Sequence, residues 1–542
     1  MSTAGGDAAF SRRWRLIAAA LCAVGAIARL AAYAQHRSLW YDEAALALNI
    51  VQRGFVALLQ PLDFLQTAPP LFLWAERLAI LPSGASEWSL RAVPLAAGIL
   101  TPPLMWHVAR RALPPLAAIA AVALVALSPT LVHYAAEAKP YAVDAFVTLV
   151  VVDRAVSVAE PSAGRAHWWM LAIVGVLAIV SSTPAIFVLA GAVACLGLRA
   201  ALGRDSRFAR RTAAVGLVWA AAFAALLATV FRPLLDDDSR VGRFMHWYWA
   251  TNFLTPDPPG LATKVSSILW ATLTGTFVGE PAFPNATTVL LGIAAAGVLA
   301  LVAARRFAFG VLLVSPFILA ASASALRLYP LAERLVLFAA PLTALLLASS
   351  LMFASWPHAW RWPAWLGAAA VAAGIIVSSR GVLARLASDE GRQESRALVS
   401  EAMRERGEGL PVWVSGGGEP AWRFYSGLDD SRPSVGPDVF AAPSDATITS
   451  DVIVGSWYNS IPERIVRVVD DTAAWSKPSP WSAKESARIA RLARPCALVF
   501  LAAPQPGESA ALLTSVGALG GTVRDARRAV GAELYRVCFD PR

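Results

Sequence analysis

Charge is scarce in this chain of 542 residues: Asp, Glu, Lys and Arg make up 15% of it, and apolar residues make up 57%. A soluble domain carries about 25% charge. With a mean hydropathy of +0.54 over this length, the chain is not a soluble enzyme, a disordered polymer or a fibrous repeat. Cysteine is rarer still, at four residues, too few for a disulfide scaffold. Cys22 and Cys195 fall inside apolar runs and read as packing residues. Cys496 and Cys538 fall in strand-like segments, where they could pair in an oxidising compartment or stay as thiols. The sequence has no internal repeat and no complete dinucleotide or Walker fingerprint. Lack of a repeat weighs against a secondary transporter, which is commonly built from two related halves.

The charge that is present is unevenly spread. Residues 1–384 hold 28 Lys+Arg and 17 Asp+Glu, and residues 385–542 hold 19 and 20. The first part has the composition of a membrane domain, the second that of a soluble one. A sequence pI near 9.8 suggests nucleic acid, but the basic excess lies between apolar runs, which is a topology signal instead. A spanning helix needs about 20 apolar residues. Eleven candidate runs lie near 14–34, 92–109, 113–128, 141–158, 168–182, 184–200, 212–231, 286–304, 307–325, 335–354 and 364–380. If these alternate, Arg12, Arg13, Arg15, Arg110, Arg111, Arg207, Arg210, Arg211, Arg305 and Arg306 all fall on one side, which is then cytoplasmic. The tail, 385–542, then falls outside. The first run, with Ala32-Tyr33-Ala34 after it, imitates a cleavable signal, but it is longer than an h-region and contains Arg29, so it reads as a retained span.

Two outer segments are long. Residues 35–91 include AALALNIVQRGFVALL, an amphipathic stretch suited to the membrane interface. Residues 232–285 carry Asp236-Asp237-Asp238, Trp247-Tyr248-Trp249 and Pro256 to Pro259, a mixture suited to a mobile loop over a site. The tail alternates ESRALVSEAMRER and SARIARLAR, which read as helices, with PVWVS, CALVFLA and ELYRVCF, which read as strands, predicting a small α/β domain. Ser415-Gly416-Gly417-Gly418-Glu419 after the first of these strands reads as a turn rather than a phosphate cradle.

Three clusters could carry chemistry. Trp40-Tyr41-Asp42-Glu43 sets two adjacent carboxylates just beyond the first run; they serve either a reaction or a helix N-terminus, where acids face the dipole. His133-Tyr134-Ala135-Ala136-Glu137-Ala138-Lys139-Pro140-Tyr141 offers a cation beside a proline, either a ligand-binding lysine or a snorkelling one. Arg327, Tyr329, Pro330, Glu333 and Arg334 place charges at the mouth of the bundle, for function or for a local Glu333–Arg334 pair.

The order of first span, WYDEA, TAPPLF, EWSLRAVP, LSPTLVHYAAEAKPYAV and YPLAERLVLF resembles the GT-C class of membrane glycosyltransferases over roughly residues 14–380. The resemblance is to the branch that holds protein O-mannosyltransferases, the aminoarabinose transferase of lipid A and the lipopolysaccharide galacturonosyltransferases. It implies a polytopic helical membrane domain, 1–384, with about 11 spans, and a small extracytoplasmic α/β domain, 385–542. It further implies transfer of a sugar from a polyprenyl phosphate to a hydroxyl of a lipid, glycan or protein at the outer face of a bacterial inner membrane. On this resemblance Asp42 is the general base, with Glu43 orienting it or the acceptor. Lys139, Arg334, Arg327 and Arg91 meet the departing phosphate; the branch more often shows Arg at the position of Lys139, and Lys keeps the charge without the fork. His133, Tyr134, Glu137, Tyr141, Tyr329, Glu333, Pro69 and Pro70 line the substrate path, Gln66 to Pro70 forming a donor groove. No cofactor is implied. A divalent ion on Asp236-Asp237-Asp238 or Asp42-Glu43 is conceivable, but a solvated acidic loop is the better reading of the triplet. Rival readings are a lipid-linked glycan ligase or polymerase using a diphosphate donor, a transporter, and a silent homologue that binds glycan.

Overall fold

The computed structural model describes residues 11–232, 239–255, 260–278, 285–355, 361–387, 393–427, 447–449, 451–455, 480–504 and 507–540. The chain forms two compact units, Met1–Gln35 with Ala68–Ser388, and His36–Thr67 with Asp389–Arg542. The break near residue 384 expected from composition is therefore joined by a second one. The start of the first outer segment belongs with the tail, a grouping made by long-range packing that composition does not register.

The first unit is helical. Each of the eleven apolar runs lies on a helix, namely Arg12–Ala34, Ala92–Ala112, Pro115–Ala126, Tyr141–Val158, Arg165–Ser181, Ala185–Gly203, Ser206–Thr229, Ala286–Ala303, Phe307–Ala325, Ala340–Ser349 and Arg361–Ala387. Among the described residues six of these are long and apolar enough to cross a membrane: Arg12–Ala34, Ala92–Ala112, Ala185–Gly203, Ser206–Thr229, Ala286–Ala303 and Phe307–Ala325. Pro115–Ala126 has only 12 residues. Tyr141–Val158 carries Asp144, Asp153 and Arg154.

Local chemistry sets the ends. Asp205 accepts from the Arg207 and Phe208 amides at 3.0 and 2.9 Å, starting Ser206–Thr229. Arg29, wholly buried in the first helix, donates to the Ala126 carbonyl at 2.9 Å and to the Val125 carbonyl at 3.0 Å. It thereby closes the C-terminal end of Pro115–Ala126 with a cation, where the dipole favours one. Small residues bring backbones together. A Cβ on Gly297 would collide with the Leu346 carbonyl, and one on Gly175 with the Trp219 ring.

Two of the doubled-cation clusters lie at one end of the bundle. Arg111 donates to Asp153 at 2.9 Å and to Ser157 at 3.0 Å, and pairs with Glu160. Arg306 donates to the Ala112 carbonyl. The Arg110–Arg111 and Arg305–Arg306 clusters thus share an end, as alternation of the spans requires, and Tyr141 stands at the other.

The second unit is built on a six-stranded sheet. Its strands are β1 (Val412–Val414), β2 (Thr447–Thr449), β3 (Val452–Val454), β4 (Cys496–Ala502), β5 (Gly521–Ala529) and β6 (Ala532–Phe539). The order is β2-β3-β1-β4-β6-β5. Central β1 runs parallel to β3 and β4, and β6 runs antiparallel to β4 and β5. Alternate residues of CALVFLA go to opposite cores: Leu498 and Phe500 pack with Trp422 and Leu398, whereas Val499 and Leu501 pack with Trp413, Ile489 and Leu512. The three expected strands and two expected helices are present. Cys496 and Cys538, opposite each other in the β4–β6 register, form a disulfide.

The glycine-rich turn closes on β4. The Ser415 amide donates to the Phe500 carbonyl at 2.8 Å, and a Cβ on Gly417 would come within 2.8 Å of the Ala502 carbonyl. Close packing accounts for the glycines. The stretch expected at the membrane interface is instead the helix Tyr41–Gln52, with Ala44 to Ile50 buried. Ala45 and Leu48 pack with Phe64 against Phe424 of the helix Glu419–Ser426, so protein covers this part of the stretch, whereas Phe55 and Val56 beyond it are exposed.

Two outcomes follow from these contacts. Arg29→Met leaves two carbonyls without donors in a region poor in water, at a cost of about 2 kcal/mol; the solubilised protein should melt lower than the unaltered one, and an unchanged melting temperature would refute the capping role. In the tail, Arg406 donates to Asp451 at 2.6 and 2.9 Å and holds that carboxyl below its usual range. Burial pushes Glu405 up, but the Arg536 and Arg527 guanidiniums outweigh it and the net shift is downward. Lowered carboxylates stabilise fully above their unfolded pKa of about 4 and lose this as pH falls through the folded value. Thermal scans should therefore show stability falling below about pH 4, with a smaller fall in Arg406→Gln; an equal fall would remove Asp451 from the explanation.

Candidate functional site

In the second unit the site begins at the N-terminus of the helix Tyr41–Gln52, with Asp42 and Glu43 in its first turn. Trp40 is extended and precedes it. Glu43, 1% exposed, accepts from the Trp40 amide at 3.4 Å, which is half of a capping box. The structural reading of this acid is therefore realised. Asp42 is half-buried and its Oδ1 accepts from the Gln66 side-chain amide at 3.1 Å.

Gln66 reaches Asp42 because the preceding loop is folded back on the helix. Asn49 accepts from the Asp63 amide at 2.8 Å and donates to the Asp63 carbonyl at 3.2 Å. Arg53 pairs with the Asp63 carboxylate at 2.8 Å. Phe64 and Leu65 then both adopt left-handed backbone, with φ of 58° and 55°. Two consecutive non-glycine residues in that region cost free energy, and the Asn49 and Arg53 contacts hold them there. Gln66 emerges buried, its amide also donating to the Phe64 carbonyl at 3.3 Å. A carboxylate with one oxygen held by an amide is restrained in direction.

In the first unit a second group assembles around the segment 128–141. Ser128 caps the short helix Pro129–Tyr134 and donates to the Thr276 carbonyl at 2.6 Å; Thr130 donates to the Gly275 carbonyl at 2.7 Å. These bonds fix the run that follows. His133 and Glu137 lie 3.3 Å apart, and Tyr134 meets Tyr141 edge-on at 5.2 Å between centroids. Arg334 stands over the rings of Tyr141, at 6.0 Å, and Trp249, at 5.4 Å, in cation–π geometry. Lys139 is 4% exposed, with its amide on the Glu137 carbonyl at 2.7 Å. Tyr329 donates to the Leu335 carbonyl at 2.8 Å; burial, reinforced by the Asp144 carboxylate, holds its phenol well above the ordinary range, so it stays protonated.

The other expected residues are more dispersed. Arg91 is buried at the start of Ala92–Ala112. Pro69 and Pro70 are buried at the start of the helix Pro70–Ile80, where a proline suits the first turn. Arg327 and Glu333 are exposed, Arg327 with left-handed backbone. Asp236-Asp237-Asp238 and Pro256 to Pro259 lie outside the described residues. Among the described residues no group of three or more His, Cys, Asp and Glu is placed to hold a metal ion.

Sequence reasoning missed the partnership of Gln66 with Asp42, the use of Trp249 against Arg334, and Asp144. The last had a signal, an aspartate inside the apolar run YAVDAFV. Asp144 is buried within its helix, and the Ser182 side chain, also buried, is its polar neighbour.

Comparison with known proteins bears on both groups. Residues 67–231, which include Arg91 and Lys139 but not Asp42, match the dolichyl-phosphate-mannose-protein mannosyltransferase family. No curated protein matches the chain by sequence. Among solved structures, ArnT from Cupriavidus metallidurans in the apo state is 14% identical with a TM-score of 0.53, over 95% of this chain and 97% of that one. The same transferase bound to undecaprenyl phosphate gives 13%, 0.55, 97% and 98%. The oligosaccharyltransferase of Archaeoglobus fulgidus gives 14% and 0.46 over 78% of this chain and 59% of that one. At such identities the ArnT likeness establishes the fold. The chain is a multi-pass membrane protein that resembles the GT-C glycosyltransferases of the ArnT and protein mannosyltransferase type.

Proposed function

We propose that this protein transfers a sugar from a polyprenyl-phosphate donor to a hydroxyl of a lipid, glycan or protein acceptor, at the outer face of a bacterial cytoplasmic membrane. The observation that carries the reading is Asp42, set in the first turn of a helix and held by Gln66 at 3.1 Å. Asp42 removes the acceptor proton as the acceptor oxygen attacks the anomeric carbon. The bond from that carbon to the phosphate oxygen breaks, and polyprenyl phosphate leaves. A phosphate is a weakly basic leaving group and needs positive charge rather than a proton. Lys139 supplies it, with Arg334, Arg327 and Arg91 in support, so no divalent ion is required. Glu43 keeps the helix start in place. His133, Tyr134, Glu137, Tyr141, Tyr329, Glu333, Pro69 and Pro70 line the path of the substrates.

A relative bound to undecaprenyl phosphate supports the donor class. The Cys496–Cys538 disulfide supports an extracytoplasmic tail, and the shared end of the cation clusters supports the same orientation of about eleven spans.

The test is release of polyprenyl phosphate from a panel of polyprenyl-phosphate hexoses and pentoses by the solubilised protein, with a membrane-lipid extract as acceptor. Asp42→Asn should lower kcat by about a hundredfold or more at unchanged melting temperature. Equal turnover by that variant would remove Asp42 as base, and turnover of diphosphate-linked donors alone would contradict the donor class.

A further inference from the structure

The helix that bears Asp42 is not capped by its own Glu43 alone. Its first amides, and those just before them, are met by side chains of the C-terminal domain, more than 350 residues along the chain. The Tyr41 amide donates to Gln393 Oε1 at 2.8 Å. The Leu39 amide donates to the Tyr425 hydroxyl at 2.6 Å. Ser38 donates to Glu394 Oε2 through its amide at 3.2 Å and its hydroxyl at 2.8 Å. Arg396 closes the set by donating to the His36 carbonyl at 2.7 Å.

The acceptors are themselves fixed. Gln393 is 2% exposed and its amide nitrogen donates to Ser395 Oγ at 2.8 Å, which leaves its oxygen aimed at Tyr41. The Glu394 amide donates to the Val530 carbonyl at 2.7 Å, in the turn between β5 and β6. Tyr425 lies on the helix Glu419–Ser426, its ring edge-on to Phe424 at 5.1 Å, and Phe424 packs with Ala45, Leu48 and Phe64. The tail therefore grips the Asp42 helix on its apolar face and at its N-terminal backbone. A helix start leaves about four amides without partners, and each bond supplied from a folded sheet domain removes one freedom of the residues beside it.

We infer that the C-terminal domain is a positioning element for the reaction, and that Gln393 and Tyr425 are positioning residues that hold the Trp40–Glu43 turn so that the Asp42 carboxylate stays aimed. The inference rests on the reading of Asp42 as the base. Misplacement of a reacting group by about 1 Å can cost up to a hundredfold in rate, so loosening of this turn is read in kcat.

The experiment compares Gln393→Leu, Tyr425→Phe and their combination with the unaltered full-length protein and with Asp42→Asn, using the polyprenyl-phosphate sugar that the unaltered protein turns over. The combined variant should lose about tenfold in kcat, with donor KM within about twofold and melting temperature nearly unchanged. Gln393→Glu, which offers the same amide a carboxylate acceptor, should restore most of the rate. Hydrogen exchange of the amides of residues 39–43 should quicken in the Leu and Phe variants and not in Gln393→Glu. Should Gln393→Leu unfold the protein, Tyr425→Phe decides alone, since it removes one oxygen and keeps the ring packing. Undiminished kcat in the folded variants while Asp42→Asn is inactive overturns the positioning role and leaves the base in place. Full turnover by Asp42→Asn, or none by the unaltered protein with any polyprenyl-phosphate sugar, overturns the functional reading and this inference with it.

Discussion

A helix end exposes amides or carbonyls that must find partners, and in this protein many of the ends that matter lie where water is scarce. Much of the architecture answers that demand. In the helical unit Arg29 spends a whole guanidinium on the last carbonyls of Pro115–Ala126. Such an intramembrane cation would ordinarily mark a functional site, and here it is a cap. In the second unit the start of the Asp42 helix is met by Glu43 from within and by Gln393, Glu394 and Tyr425 from the tail. The two carboxylates that the sequence sets side by side are thus divided in role. Glu43 turns back to the backbone, and Asp42 turns to Gln66.

That division explains how a single carboxylate can do the work proposed for it. It sits in the first turn of its own helix, and the Gln66 amide holds one of its oxygens. The loop that delivers Gln66 stores backbone strain at Phe64 and Leu65, which Asn49 and Arg53 hold in place. For the phosphate of the proposed donor the chain offers cations of different kinds: Lys139, nearly buried, and Arg334, set against two aromatic rings. A low-dielectric setting raises the worth of each.

The parts of this arrangement that follow local rules were legible in the sequence. All eleven apolar runs are helices, because 3.6-residue geometry satisfies every backbone group in the absence of water. PVWVS, CALVFLA and ELYRVCF read as strands and are β1, β4 and β6. By contrast β5, GTVRDARRA, is charged and largely exposed along its length, as an edge strand is, and lacks the apolar signal. Strands β2 and β3 are three residues each, too short for periodicity to register. The candidate residues stand out along the chain, and the bonds that join them do not. Asp42, Lys139 and Arg334 stand out by charge in apolar surroundings. The bonds from Gln66 to Asp42 and from Tyr41 to Gln393 join positions 24 and 352 apart, and no pattern along the chain encodes them. The amphipathic stretch after Asp42 shows the same limit: its apolar face is real, but the packing of Ala45 and Leu48 with Phe64 and Phe424 could not be read from it.

The central claim is a single displacement at the anomeric carbon, with one carboxylate acting as a base and never as a nucleophile. The most direct measurement is the anomeric configuration of the transferred sugar, read by carbon NMR of product made from a donor of defined configuration labelled at that carbon. Attack by the acceptor opposite the departing phosphate predicts inversion. Retention, by a covalent sugar on a side chain or by attack on the face that the phosphate leaves, would contradict the single inverting displacement and the role given to Asp42.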